Sequence, residues 1–492
     1  MTARHALIAL IALAAVLRLI TLNNALWLDE IAVIQVYGPM TVWQVIDSYA
    51  GSNNHLLNTL LMKASSAIFG DGSWAWRLPA FLFGVAGIPA LYVTARVALS
   101  ERASLAAAAM LAVAYHHVFF SQNARGYTAW IVFSLLASAA FARWMEDPGD
   151  RARLGRWVGA TVGNFASLLL SAFTAAGHGL VGAGLLVTRR HSAPSGPLLR
   201  SLALGGGLAA LGGLLLYAWV LPDVLAYADT EYRKADVGFS LFSAAFVTEV
   251  VRGLGGGVGW LLVIAAPIGA AVGLAGLRSL HRASPVLTWA LFSGPALQLA
   301  AVGALGLSVT PRHFLLAMPL AFLVIAAGVE ALAQRLDEPL GADLARPALI
   351  VAVVVFALVS ALQLRGYYAH PKQDIPGALA WLADQRQPDE HVVALHLAEL
   401  PVQYYGPQHG FTKDDGTFFV RTLDALDAAH ADPRFDGSGW LVMTLPRALD
   451  IGLPELAARV RADYELVETF PGTLGDADVT LWRERSTAPG AR

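Results

Sequence analysis

Residues 6–30 read ALIALIALAAVLRLITLNNALWLDE: an apolar run from Ala6 to Leu22, a short joint, then two adjacent carboxylates, Asp29 and Glu30. A helix needs about 20 mostly apolar residues to cross the hydrocarbon of a bilayer, and about 17 suffice. The run meets that length. A cleaved secretory leader would also show a basic start at Arg4 and an apolar middle. Continuation of the run through Arg18 to Leu22 favours an uncleaved first span. Trp27 is an interfacial anchor by type, so Asp29 and Glu30 sit just beyond the membrane edge.

The rest of the chain repeats the apolar signal. Of 492 residues, 56% are hydrophobic and 14% charged, against about 25% charged in soluble domains, and mean hydropathy is +0.55. Further apolar runs occupy 78–98, 103–120, 127–145, 157–172, 174–188, 201–221, 257–277, 285–307, 314–334 and 347–363, eleven spans with the first. The joint around Ser171–Gly177 is weakly marked, so 157–188 also reads as one tilted or re-entrant element. With the N-terminus inside, the cytoplasmic joints hold about twice as many basic residues as the outer ones, Arg96, Arg102, Arg143, Arg151, Arg153 and Arg156 among them. That is the positive-inside pattern. It sets the C-terminus outside, in the extracytoplasmic space of a cell membrane.

Absence of cysteine removes disulfides, thiolate catalysis and Cys-ligated metals. A formal net charge of −2 says little about partners, and no nucleic-acid partner is expected. The run Gly253–Gly259 lacks the Lys-Ser/Thr of a phosphate loop and precedes a span rather than following a strand.

Two domains are expected. Residues 1–363 form the membrane domain, with an outer loop, 23–77, too long for a simple connector. Within it Trp43, Ile46 and Tyr49, then Leu57, Leu61, Ala64 and Ile68, recur at helical spacing, which predicts amphipathic helices at the interface. A second outer loop, 222–256, is polar and reads as a lid. Residues 364–492 are richer in charge and form a soluble α/β domain. Strands are predicted at His391–Leu397, Thr417–Val420, Trp440–Thr444 and Asp478–Trp482, and helices at Ile375–Gln387 and Leu453–Tyr464.

Residues able to carry chemistry collect on the outer side. At the N-terminus of an apolar helix the dipole favours ionised carboxylates, and an ionised Asp29 can accept a proton from an attacking hydroxyl; equally, Asp29 and Glu30 can simply end a span. His55 opens an amphipathic helix. Arg77 stands at the mouth of the second span. Gln122, Asn123, Arg125 and Tyr127 fill the tight turn between the third and fourth. Arg312 and His313 lie at the mouth of the tenth. Tyr367, Tyr368, Lys372 and Asp374 lie where the last span meets the soluble domain. An Arg or Lys at each mouth can gather on one anion, or each can pair with a lipid phosphate. His116-His117 has no companion at metal-ligand spacing and reads as interfacial.

Taken in order, these residues resemble the GT-C superfamily of integral-membrane glycosyltransferases, nearest to the protein O-mannosyltransferase and aminoarabinose-transferase-like branches. The resemblance rests on Asp29-Glu30 after the first span, His55-Leu56-Leu57, Arg77-Leu78-Pro79 with Gly84, Gln122-Asn123-Ala124-Arg125-Gly126-Tyr127, Arg312-His313-Phe314 and Lys372-Gln373-Asp374-Ile375. The chain departs from the pattern in having no Pro after His55, His313 for an aromatic residue and Ile375 for Trp. The resemblance implies a sugar donor on a polyprenyl phosphate, an extracytoplasmic acceptor and direct displacement with Asp29 as base. It assigns Glu30 to support, Arg77, Arg125, Arg312 and Lys372 to the donor phosphate, with Lys63 a weaker candidate, and His55, Gln122 and Tyr127 to substrate. No cofactor is implied; Asp29, Glu30 and His55 are possible ligands for a divalent ion, which is not favoured. The rival readings are a proton-coupled transporter or flippase, a ligase or polymerase acting on lipid-linked glycan, and a scaffold without activity. Charged groups at span ends rather than mid-span, and no repeated halves, argue against the transporter.

Overall fold

The computed structural model describes residues 2–49, 54–189, 195–231, 243–244, 246–248, 259–306, 310–433 and 439–485. Most of the expected lid at 222–256, and all of the glycine run 253–259 but its last residue, lie outside these residues. Residues Met1–Leu22 and Met40–Gln363 form one compact unit; Asn23–Pro39 and Leu364–Arg492 form the other.

The first unit is helical. Its helices are α1 (Ala3–Leu19), then, beyond α2 (Leu28–Tyr37) of the second unit, α3 (Val42–Ile46), α4 (Leu56–Phe69), α5 (Ser73–Ala95), α6 (Glu101–Val113), α7 (Tyr115–Ser121), α8 (Tyr127–Glu146), α9 (Arg151–Ser167), α10 (Ser171–Arg189), α11 (Ser195–Tyr217), α12 (Leu221–Glu231), α13 (Gly259–Ala283), α14 (Pro285–Leu305), α15 (Ala317–Leu340) and α16 (Ala345–Ala369), which runs on into the second unit. Each of the eleven apolar runs carries a helix. Among the described residues seven helices are long and apolar enough to cross a membrane, and α6 with α7, bent by 60° at their junction, makes an eighth. Helices α1 and α9, at 17 residues each, fall just short of that length.

Small residues let these helices approach closely, as expected where lipid supplies no hydrophobic drive for packing. A Cβ on Gly276 of α13 would lie 2.0 Å from the Val324 carbonyl oxygen, and one on Gly328 of α15 would lie 2.0 Å from that of Val272. One buried cation crosses this apolar interior. Arg18 of α1 donates to the carbonyls of Ala112 (2.9 Å) and Leu111 (3.3 Å), to Ser121 Oγ (3.0 Å), and lies 2.6 Å from His117 Nδ1. These carbonyls are the orphaned acceptors at the end of α6, where a cation is favoured. His117 is therefore a buried partner of Arg18 and not an interfacial residue, a correction to its sequence reading.

The second unit holds α2 and the C-terminal α/β fold: α17 (Ile375–Gln385), β1 (Val392–Leu395), α18 (Glu399–Tyr405), β2 (Thr417–Val420), α19 (Leu423–His430), β3 (Trp440–Thr444), α20 (Pro446–Gly452), α21 (Pro454–Asp463), β4 (Tyr464–Phe470) and β5 (Val479–Glu484). The sheet order is β2-β1-β3-β5-β4. Strands β2, β1 and β3 are parallel, and β5 is antiparallel to both β3 and β4. The central strands, VVAL and WLVMT, are buried throughout, as parallel strands covered on both faces are. Strand β4 was not expected from sequence: Tyr464 begins it rather than ending a helix, and most of the strand is exposed at the sheet edge.

Candidate functional site

Within the second unit, the turn bearing the two carboxylates is held by the carboxyl ends of the sheet. The backbone N–H of Leu28 donates to Gln373 Oε1 at 2.8 Å, and Gln373 Nε2 donates to Thr444 Oγ1, at the end of β3, at 3.0 Å. The Tyr405 hydroxyl of α18 accepts the Leu26 N–H at 2.7 Å. Glu30 is fully buried; its Oε2 accepts the Trp27 N–H at 3.3 Å, and its Oε1 lies 3.6 Å from Lys372 Nζ, which is 4% exposed. Asp29, its neighbour in the first turn of α2, is half-buried. Glu30 thus fixes the turn while Asp29 keeps partial access to solvent.

Two non-glycine residues of this unit adopt left-handed backbone, His396 (φ 52°) after β1 and Leu445 (φ 51°) after β3. Strained backbone is retained where the surroundings over-determine it, and it clusters at functional sites. In α/β sheets ligands gather outside the carboxyl ends of the strands. Here that edge carries Gln373 and, through it, the Asp29 turn.

Within the first unit a second cluster forms. His55 caps α4 and is 2% exposed; its Nδ1 accepts the Gly126 N–H at 2.7 Å. That bond leaves the proton of the neutral ring on Nε2. The ring meets Tyr127 edge-on at 5.1 Å between centroids, and the Arg125 guanidinium lies 5.3 Å from the centre of the same tyrosine. Burial first, then Arg125, Arg312 and His313, hold His55 well below its ordinary value. His313 is pushed down to about 3 by burial, Arg312 and Arg125. Both histidines are therefore neutral at physiological pH, and the positive charge of the cluster resides on Arg125 and Arg312.

Two predicted residues have structural partners. Arg77 is 1% exposed and donates to the Leu22 carbonyl beyond α1 at 2.9 Å. Gln122 donates from Nε2 to the Arg18 carbonyl at 2.8 Å and accepts from Thr21 at 2.9 Å, which fastens the 122–127 turn to α1. The structure thus brings His55, Arg125, Tyr127, Arg312 and His313 together in one unit, and Asp29, Glu30 and Lys372 together in the other. Arg18, Gln373 and Tyr405 were missed as anchors. A charge inside an apolar run was the available signal for Arg18; nothing local marked the other two.

The described residues thus form a polytopic helical unit with buried arginines and a small α/β unit that holds a carboxylate turn. The family described as dolichyl-phosphate-mannose-protein mannosyltransferase matches residues 56–205. Among solved structures, ArnT from Cupriavidus metallidurans in the apo state is similar over 97% of this chain and 97% of its own, at 14% identity and a TM-score of 0.52. The oligosaccharyltransferase AglB from Archaeoglobus fulgidus, in complex with an inhibitory peptide and a dolichol-phosphate, is similar over 96% of this chain and 74% of its own, at 13% identity and a TM-score of 0.51. No curated protein matches. The chain shares the fold of these two structures, and the stretch that matches the family lies within its helical unit, whose long apolar helices are those of an integral membrane protein.

Proposed function

We propose that this protein moves a sugar from a polyprenyl-phosphate donor to an extracytoplasmic acceptor, with its N-terminus in the cytoplasm, its α/β unit outside and its site at the outer face of a bacterial inner membrane. The observation that carries the reading is the buried turn in which His55 accepts from Gly126 and meets Tyr127, with Arg125 beside that ring and the charges of Arg125 and Arg312 both reaching His55 and His313. A lipid phosphate gains negative charge as the sugar departs, and preformed cations in a water-poor site stabilise that charge. The Nε2–H of His55 supplies a neutral donor to the same anion. Gln122 and Tyr127 keep that turn in shape, Gln122 through α1 and Tyr127 by its edge-on contact with His55 and by its ring beside Arg125.

Asp29 is the base in this scheme. It lies in the first turn of α2, and it takes the proton of the acceptor hydroxyl as that oxygen attacks the anomeric carbon from the face opposite the phosphate. Glu30 holds the turn, and Lys372 offsets its buried charge. Arg77 secures the end of α1. The dolichol-phosphate in AglB and the family description both support a polyprenyl-linked donor.

The test is transfer from a panel of labelled polyprenyl-phosphate sugars by the purified protein beside an Asp29→Asn variant. Turnover of one donor, lost in the variant while donor binding persists, supports the scheme and names the sugar. Full turnover by Asp29→Asn removes Asp29 as base; no binding of any donor removes the donor class.

A further inference from the structure

At the opposite end of β1 from the carboxylate turn, three side chains from distant parts of the chain converge. His391 immediately precedes β1, His430 closes α19 and Glu484 closes β5. One ligand atom from each lies within 4.8 Å of the others. His391 is 3% exposed, and His430 and Glu484 are half-buried. We infer that His391, His430 and Glu484 form a structural binding site for a zinc-class divalent transition-metal ion in the α/β unit. This site is separate from the glycosyl-transfer residues.

The surroundings are those of a prepared ligand set. His430 Nε2 is 2.7 Å from the hydroxyl of buried Tyr464. A ring that donates its Nε2–H to this hydroxyl keeps the Nδ1 lone pair for a metal, and metal-bound imidazoles ordinarily make such an outer hydrogen bond. Glu484 Oε2 accepts the Gly439 N–H at 3.2 Å, and the Glu484 N–H donates to the Gly439 carbonyl at 2.8 Å, so the carboxylate is anchored at its base. Glycine at 439 is a steric requirement: a Cβ there would lie 2.1 Å from His391 Nε2. The His391 carbonyl accepts the Trp440 N–H at 2.8 Å, which fixes its backbone against β3. Glu484 and Asp432 are the acidic groups whose charge reaches the His391 ring, and Arg386 and His430 oppose them. Arg386 is itself directed to the Glu390 carbonyl at 2.8 Å.

Two imidazoles and a carboxylate suit zinc, cobalt and nickel better than calcium or magnesium, which prefer all-oxygen sets. Metal–ligand bonds of about 2.0–2.2 Å in a tetrahedron place ligand atoms about 3.4 Å apart. The separations here, all within 4.8 Å, need to close by little more than about 1 Å, within reach of side-chain rotation. Water would complete the coordination. A bound ion would tie the start of β1, the end of α19 and the end of β5 to one point, clamping the parallel and antiparallel halves of the sheet at their shared end.

The experiment uses the full chain in detergent, stripped with a chelator and titrated with Zn2+ and Co2+. Metal content is read by elemental analysis, cobalt geometry by visible absorption, and unfolding by thermal shift. The wild type is expected to take up about one tightly held ion, with the intense bands of low-coordinate cobalt, and to melt at higher temperature when loaded. His430→Gln and Glu484→Gln are expected to lose that ion, whereas His409→Gln, altered elsewhere in the same unit, retains it. Tyr464→Phe keeps all three ligands and is expected to weaken binding by about 10-fold or more. The inference is overturned if His430→Gln and Glu484→Gln, both eluting as the folded protein, bind the same ion as wild type, or if wild type holds an adventitious ion only, removed by a wash without chelator.

Discussion

Lys372 Nζ and Glu30 Oε1 lie 3.6 Å apart with both side chains withdrawn from solvent. The pair joins residues far apart in the sequence and locks the turn that presents Asp29. Removing one partner from a buried pair leaves an uncompensated charge, at a cost of about 3–5 kcal/mol. Lys372→Met is therefore expected to lower the melting temperature sharply, and the double variant Lys372→Met with Glu30→Gln to recover much of the loss. Thermal unfolding of the two variants in detergent checks this. Equal destabilisation in both contradicts a paired role.

Gln373 bridges the Leu28 N–H and the Thr444 hydroxyl. A leucine there fills the space and leaves both groups without that amide. A lost partner for a buried polar group costs about 1–3 kcal/mol, and a catalytic group displaced by even 1 Å can cost about 100-fold in rate. Gln373→Leu is expected to reduce kcat at least about 10-fold with little change in donor KM, because the arginines proposed to hold the donor belong to the other unit. Steady-state transfer kinetics separate the two parameters. A rise in KM with kcat unchanged assigns Gln373 to binding instead.

The apolar runs were legible because hydropathy is a local property, and the central strands because VVAL and WLVMT are uninterrupted apolar blocks. Strand β4 was not, since Glu465, Leu466, Val467 and Glu468 all face solvent at an edge and show no alternation. The association of Asn23–Pro39 with the C-terminal unit was hidden for a different reason. Besides the Glu30–Lys372 pair it rests on Gln373 and Tyr405, polar residues whose partners in 23–39 no local pattern marks. The candidate residues were chosen by type and order, and type did not separate Asp29 from Glu30. Burial separates them, leaving Glu30 fully enclosed and Asp29 only half so.

The neutral histidines make stability depend on pH with a definite sign. In the unfolded chain a histidine takes up its proton near pH 6.5. Folded His313 does so only near 3, and His55 is lowered in the same direction. Below about pH 6.5 the unfolded state therefore binds more protons than the folded one, and stability falls as pH drops towards 3. The expected slope is about 1.4 kcal/mol per pH unit for each such histidine. Melting temperature measured from pH 7 to pH 5 is expected to fall in wild type and to fall less steeply in His313→Asn. Parallel curves for the two proteins exclude His313 from the effect.

Gly126 tests the proposed donor role of the 122–127 turn without altering any charged residue. Its N–H supports His55, and a Cβ at this position would lie 2.6 Å from the Ser167 carbonyl oxygen and 2.8 Å from His55 Cβ. Neither neighbour yields easily, since one is backbone and the other the root of a buried ring. Gly126→Ala is therefore expected to push the turn away from His55, lengthen the Nδ1 hydrogen bond and shift Arg125 and Tyr127 with it. If that cluster holds the donor phosphate, polyprenyl-phosphate binding is expected to weaken by about 10-fold or more, the equivalent of about 1.4 kcal/mol, while the Asp29 turn in the other unit keeps its geometry. Binding measured with polyprenyl phosphate carrying no sugar isolates this contribution. Unchanged affinity in a variant that elutes as the folded protein places the phosphate elsewhere, because no substitution here leaves the 122–127 turn both displaced and competent.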